Sequence, residues 1–310
     1  VMSSPLTFRQ ITLSDSEIFE QVVRHTDCRN CDMSLANIYC WRAFYDTAWA
    51  EVDGFLVVRF RIDGGSKTGY MQPIGEGNLA GVIDRLRADA VERGEPLRLV
   101  GLTEEVKQFL EEHYPDCFAF DDNRATRDYI YRREDLSRLQ GKNYQPKRNH
   151  INRFLAEFPD ARILPLSEET LPDARVLADR WYQRRSPEED AGMELVALNR
   201  AFSHWQELEL EGLVMYVGEQ VVAMTMGSRL DDETVDVHFE KADVDYPGAY
   251  AVINRAFARY IREKYPEVKF LNREDDMGIE GLRKAKLSYY PHHMVEKCWA
   301  HLTTEEFDDY

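Results

Sequence analysis

The order of segments after Gly212 constrains this chain more tightly than any single motif. Gly212–Val217, Gln220–Arg229 and Thr234–Lys241 are β-rich runs in close succession, and Gly218-Glu219 between the first two is a hairpin signal. The three are expected to form a meander. Pro247-Gly248-Ala249-Tyr250 opens a helix predicted to reach Tyr265, with Val252, Ile253, Ala256, Phe257 and Tyr260 inward. A strand around Val268–Leu271 follows, then a short helix over Ile279–Leu287 stopped by Ser288, Tyr289, Tyr290 and Pro291, then a closing strand over His292–Leu302. Ahead of the meander lie a strand at Arg162–Leu166 and helices at Leu171–Arg184 and Met193–Leu208, with a loop at Ser186-Pro187 between the helices. From the first of these helices onward, the second half reads helix, helix, three strands, helix, strand, helix, strand.

Upstream, helices are predicted from Ser14 or Asp15 to about Arg24, over Leu35–Phe44 and Leu79–Arg93, and from Thr103 to Tyr114. Strands are predicted at Phe55–Arg61, Tyr70–Ile74, Leu97–Leu102, Phe118–Phe120 and Tyr129–Arg132. Such alternation argues for an α/β (α+β) mixed sheet covered by helices. A chain of 310 residues has room for two domains. The boundaries read from the sequence are an N-terminal domain over 1–135, a basic linker helix over 136–160 and a C-terminal domain over 161–310.

Cys28 and Cys31, with His25 ahead of them, have the spacing of half a zinc site. Cys117 and Cys298 form no second pair, so this segment reads as a turn leading into a helix capped at Asp32 or Ser34, and no metal is expected. Five scattered cysteines suit a reducing, cytoplasmic setting. No apolar run reaches the length of a membrane span and no signal peptide is visible at the start.

Charge narrows the partners. With a formal net charge of −17, the surface taken whole should repel nucleic acid and anionic lipid, so a polyanion needs a local basic patch. Asp135–Phe158 supplies one. Arg138, Lys142, Lys147, Arg148, His150 and Arg153 fall in it, with no acidic residue from Lys142 to Arg153. Such a patch can hold the phosphates of a nucleic acid or of a nucleotide cofactor, or pair with the acidic surfaces beside it. The stretch Phe270–Pro291 is the opposite. Its strand ends in Glu274, Asp275 and Asp276, and Gly278 precedes the next helix. An anionic loop there suits a cationic ligand such as an amine, or caps the helix dipole.

Three blocks carry a family resemblance: VHFEKADVDYPGAYAVINRAFA at Val237–Ala258, FLNREDDMGIEGLRKAKLSYYP at Phe270–Pro291, and the LxGKxxxxKRNHINxF pattern from Leu139 to Phe154. They resemble the C-terminal catalytic domain of phosphatidylglycerol lysyltransferases. The order of the second half looks like a GCN5-related N-acetyltransferase domain, and the first half like a degenerate copy of it, as in the Fem-type peptidyl transferases. The resemblance implies a tandem GNAT-like fold and transfer of an aminoacyl group from aminoacyl-tRNA to a small-molecule or lipid acceptor, with no tightly bound cofactor. Two features depart from the pattern. The integral-membrane portion of the lipid-modifying enzymes is not among these residues, and of the glycine-rich pyrophosphate loop of acetyl-CoA enzymes only Gly248 stands. An acyl-CoA co-substrate is therefore the alternative, and a non-catalytic binding module the third reading.

Aminoacyl transfer needs a positioned acceptor, a proton acceptor and donors for the developing oxyanion. His238 and Glu240 share parity on one strand and are expected on one side of the sheet, to take a proton or bind the donor's ammonium. Glu274 and Asp275 are candidates for recognising an α-ammonium, and Arg273, Lys284 and Lys286 for phosphate or carboxylate. Asn254 can orient a carbonyl, and Asn272 belongs to the same strand end as the acidic loop. Tyr289 is either a proton relay or a packed ring. Ser288 reads as a helix stop, since no His–acid pair is adjacent to it. Lys142, Lys147, Arg148, Arg153 and Gly248 are the candidates for the phosphates of tRNA or CoA.

Overall fold

The computed structural model describes residues 4–26, 29–185 and 189–303. Cys28 of the paired cysteines and the predicted loop at Ser186-Pro187 lie outside them. Two mixed sheets organise the chain. The first orders its strands Arg9–Gln10, Ala48–Val52, Phe55–Ile62, Lys67–Met71, Arg98–Leu102, Cys298–Leu302 and Phe118–Asp122, with Ile74–Gly75 also paired to Phe55–Ile62. The second runs His293–Val295, Asp128–Arg132, Phe270–Asn272, Thr234–Ala242, Gln220–Arg229, Glu211–Val217 and Arg162–Pro165. The predicted meander is present, antiparallel throughout.

Each sheet contains one parallel pair, Lys67–Met71 with Arg98–Leu102 and Thr234–Ala242 with Phe270–Asn272. In both, a helix makes the crossover, as parallel strands require. The second of these helices, Ala249–Lys264, buries Val252, Ile253, Phe257 and Ile261 against its sheet.

The two sheets exchange their ends. Strand Asp128–Arg132, which precedes the basic segment, lies in the second sheet. The predicted single closing strand is two, broken at Glu296-Lys297. His293–Val295 edges the second sheet, and Cys298–Leu302 enters the first between Arg98–Leu102 and Phe118–Asp122. The helix predicted over Leu35–Phe44 also divides, into Leu35–Cys40 and Arg42–Tyr45, with Ser34 accepting from the Asn37 N–H as its cap. The basic segment forms helices Arg133–Arg138 and Gln145–Glu157, and Ile151 and Phe154 of the latter are buried beside Ala249–Lys264.

Three cores follow. Helices Leu79–Glu92 and Glu104–His113 cover one face of the first sheet. Helix Ala249–Lys264 and the basic helices cover one face of the second. Between them a shared core joins Trp49, Leu56 and Val58 of the first sheet to Val214, Met224 and Phe239 of the second. No helix among the described residues is long and apolar enough to cross a membrane.

Candidate functional site

The parallel pair of the second sheet is short. Thr234, Val235 and Asp236 face Phe270, Leu271 and Asn272, and beyond them the two strands part. The mouth of this gap faces the first half of the chain, at the 3-10 turn Cys31–Met33 and helix Leu35–Cys40. A buried polar cluster fills the seam. Asp128 is fully buried. It accepts from the Cys31 N–H at 2.8 Å, from Asn272 Nδ2 at 2.9 Å and from Lys297 Nζ at 2.7 Å. Lys297 also meets Asp32 at 3.2 Å. Burial pulls the Lys297 ammonium down, but Asp128 and Asp32 outweigh that and hold it well above its usual range. Asn37 Nδ2 donates to Glu274 Oε2 at 2.7 Å and reaches Asp236 Oδ2 at 3.3 Å.

Asp236 is fully buried on a strand whose neighbours are apolar. Burial, and next the Glu274 carboxylate beside it, push its pKa well up. His238 stands over this pair. Its Nδ1 is 3.5 Å from Asp236 and 3.4 Å from Glu274, and its Nε2 is 2.7 Å from Ser228 Oγ. Cys31, Asp236 and Glu274 each place a ligand atom within 4.8 Å of the others, the spacing of a set that could hold a metal ion.

The expectation that His238 and Glu240 share a face is corrected. The ladder slips between Met226 and Gly227, which pair with Phe239 and Val237, so His238 is the extra residue of a β-bulge. The bulge resets the alternation: His238 faces the seam, while Glu240 turns to helix Ala249–Lys264, accepting from Asn254 at 3.3 Å and from Arg273 at 3.2 Å. Gly227 permits it, since a Cβ there would lie 2.4 Å from the Asp236 carbonyl.

The acidic loop is built to hold one shape. Glu274 is a non-glycine residue at φ 62°, and its N–H donates to Asn272 Oδ1 at 2.7 Å. Asp276 is buried and accepts from Arg124 and Arg283 at 2.9 Å, Gly278 N at 2.8 Å and Tyr129. Burial would raise its pKa, but these donors hold it well below the carboxylate range. Lys286 donates to the carbonyls of Arg273 and Asp275. Asp275 is pushed up to about 7, first by burial, against the pull of Lys297, and further by Asp128, Asp32 and Glu274.

The residues singled out from the sequence therefore divide. His238, Asn272, Glu274 and Asp275 meet at the seam. Glu240, Asn254, Arg273 and Tyr289 form a second, largely buried cluster, where Arg273 pairs with Glu240 and lies over the rings of Tyr131 and Tyr289. Lys286 is buried and bound to backbone, and Lys284 is exposed. Arg148 is spent on the carbonyls of Leu139 and Gly141. Lys142 and Arg153 are exposed. Lys147 lies over the Tyr289 ring at 4.1 Å and, with His150, lines a hollow of about 270 Å³ at Gly248, where helix Ala249–Lys264 begins without a side-chain cap.

Asn37, Asp128, Asp236 and Lys297 go unmarked in a reading of the sequence for function, Cys31 is marked only in a zinc pattern that is set aside, and Asp32 is read only as a cap. A signal exists for two of them: a lone acid interrupts each of the β-rich runs Thr234-Val-Asp-Val and Arg127-Asp-Tyr-Ile. For Cys31, Asn37 and Lys297, only the exchange of sheet ends brings them in.

At the seam a cavity of about 350 Å³ opens, with Asp32, Asn37, Glu274, Asp275 and Lys297 at one end. The chain has relatives among known proteins. The family model described as "Phosphatidylglycerol lysyltransferase, C-terminal" matches residues 24–301. A solved conserved protein of unknown function from Bacteroides thetaiotaomicron is 40% identical, with 96% of this chain and 99% of that one covered and a TM-score of 0.89. The structure of L-PGS from Bacillus licheniformis is 13% identical, with 99% and 96% covered and a TM-score of 0.67. The Fem-type fold is shared with FemX, 8% identical with 96% and 97% covered and a TM-score of 0.58. An uncharacterized protein of Mycoplasmoides gallisepticum is 24% identical over 177 residues, and the match spans 56% of each chain, so it covers about half the length of that relative.

Proposed function

The chain belongs to the phosphatidylglycerol lysyltransferase C-terminal family, and on that premise we propose that it is an aminoacyltransferase that moves an aminoacyl group from aminoacyl-tRNA to an amine or hydroxyl acceptor. One observation carries the reading. The carboxylates of Asp32, Asp128, Asp236, Glu274 and Asp275 crowd one seam, where the ammonium of Lys297 is their buried counter-charge and that of Lys286 is turned to backbone carbonyls. A polar end with this surplus of acid is matched to a cation, and an aminoacyl ester carries one on the atom next to its reacting carbonyl.

In this reading Glu274 and Asp32 take the α-ammonium. The acceptor attacks the ester carbonyl carbon. Its N–H or O–H bond breaks as the new acyl bond forms, the ester C–O bond breaks, and the tRNA hydroxyl leaves with a proton. Asp275, with its pKa near 7, receives the acceptor's proton and returns it to the leaving oxygen. His238 holds the Asp236–Glu274 pair in place from the bulge. Lys142, Lys147 and Arg153 contact tRNA phosphates, and Arg148 shapes the loop that carries Lys142.

The second reading keeps a specific observation too. The uncapped helix start at Gly248, with Lys147 and His150 beside it, is suited to the phosphates of an acyl-CoA donor.

A single experiment tests both. The protein is mixed with a pool of tRNA charged with radiolabelled amino acids, and acyl loss and tRNA retention are followed beside thermal stabilisation by CoA esters. The aminoacyl reading expects retention of charged tRNA that weakens steeply with salt and falls in K142E/R153E. Stabilisation by acyl-CoA without tRNA retention transfers the assignment to the second reading.

A further inference from the structure

We infer that the seam cavity selects an aminoacyl group whose side chain is apolar or aromatic, its α-ammonium held at Glu274 and Asp32. This rests on the aminoacyl-transfer reading and narrows it to a substrate class. The cavity has two unlike ends. The acidic end is described above. Away from it the walls are Trp41, Tyr45, Phe60, Ile62, Met71 and Val100, brought from the junction after helix Leu35–Cys40, from helix Arg42–Tyr45 and from three adjacent strands of the first sheet. Trp299, two residues beyond Lys297, lines the same space, so one short segment contributes to the charged end and to the apolar wall. A volume of about 350 Å³ is at the small end of ligand cavities, suited to one amino acid rather than to a long chain.

The polar end is poised for a cation independently of its acid count. Asp236 Oδ1 is buried beside Glu274 with no hydrogen-bond partner among the described residues. A carboxyl oxygen accepts from a donor, and Glu274, which Asp236 and His238 flank, reaches the cavity. The distal walls offer the reverse. A second ammonium at the end of a lysine side chain would lie against the indole of Trp41, the phenyl ring of Phe60 and the aliphatic Ile62 and Val100, with the carboxylates of the cavity at its other end. Attraction to the ring faces returns part of the cost of removing that charge from water there, but no opposite charge completes the compensation. An apolar side chain gains by the same contact.

Amino-acid amides test this, since they carry the α-ammonium and a carbonyl without the labile ester. L-phenylalaninamide, L-leucinamide, L-lysinamide and N-acetyl-L-phenylalaninamide are titrated against the whole chain by calorimetry and thermal shift, beside Glu274→Gln. The expected result is binding of the first two at least about tenfold tighter than lysinamide. Binding should be lost in N-acetyl-L-phenylalaninamide, which lacks the ammonium, and weakened in E274Q. Equal or tighter binding of lysinamide, lost in E274Q, overturns the apolar selection and leaves aminoacyl transfer standing. Equal binding of the N-acetyl compound shows an apolar hollow indifferent to ammonium and overturns the inference. Binding of none at millimolar concentration also overturns it, and the charged-tRNA assay above then decides the transfer reading by itself.

Discussion

Asp275 should make the stability of this protein fall as pH rises through neutrality, and Asp275→Asn should remove that fall. Its folded-state pKa is raised to about 7 from an ordinary aspartate value of 3.8, with burial as the first cause. A raised acid binds its proton more tightly in the folded state. Its contribution is therefore complete below pH 3.8 and is lost as pH climbs through 7. Between pH 6 and pH 8 the loss amounts to about 1.4 kcal/mol for this one group. Asp236 is raised as well and adds a slope of the same sign, while Asp276 is held low and acts only at strongly acid pH. The decisive quantity is thus the difference between the native chain and D275N. Urea denaturation at half-unit steps from pH 5.5 to 8.5 reads it. The native chain should lose about 1.4 kcal/mol more than D275N between pH 6 and pH 8. Parallel curves for the two proteins would show that Asp275 titrates normally and would remove it as the proton acceptor.

Three further outcomes follow from the same geometry. Lys297→Met leaves the buried carboxylate of Asp128 without its ammonium and should cost about 3–5 kcal/mol in chemical denaturation, part of it restored by adding Asp128→Asn. Gly227→Ala pushes a methyl against the Asp236 carbonyl at the bulge and should cost about 1–3 kcal/mol, whereas Gly281→Ala, with open space around it on a helix, should be neutral or stabilising by up to about 1 kcal/mol; melting curves of the pair check this. Tyr129→Phe removes one donor to buried Asp276 and should lower stability by about 1–2 kcal/mol, a loss that fades in acid as Asp276 takes up a proton.

Much of the second half was legible in the sequence because its signals are local. A hairpin turn at Gly218-Glu219, a helix opening at Pro247-Gly248 and a helix stop before Pro291 each act over a few residues, and the structure places elements there within a residue or two. The acidic loop was legible for the same reason. What stayed hidden depends on pairing at long range. The bulge at His238 is a slip between two strands, and parity counted along one strand cannot register it. Arg273, expected in a strand-end cleft, is largely enclosed by Glu240 and the rings of Tyr131 and Tyr289. Lys297 looks like an ordinary surface lysine in sequence. It is 2% exposed because the chain crosses between sheets at that residue and leaves its side chain beside Asp128.

That crossing also sets a schedule for synthesis. The strand Cys298–Leu302 belongs between two strands that leave the ribosome far earlier, the nearer of them at Phe118–Asp122. During translation the first sheet must wait with an open slot while the whole second half is made, roughly 10–35 s at ordinary elongation rates. Both sides of the slot present unpaired backbone N–H and C=O groups, which any passing strand can occupy. Residues Cys298–Leu302 seal the sheet, and they seat Lys297 in the acidic seam as they do so. A nascent chain stopped before Lys297 would carry nearly all of this fold, with neither a finished first sheet nor a charge-balanced site.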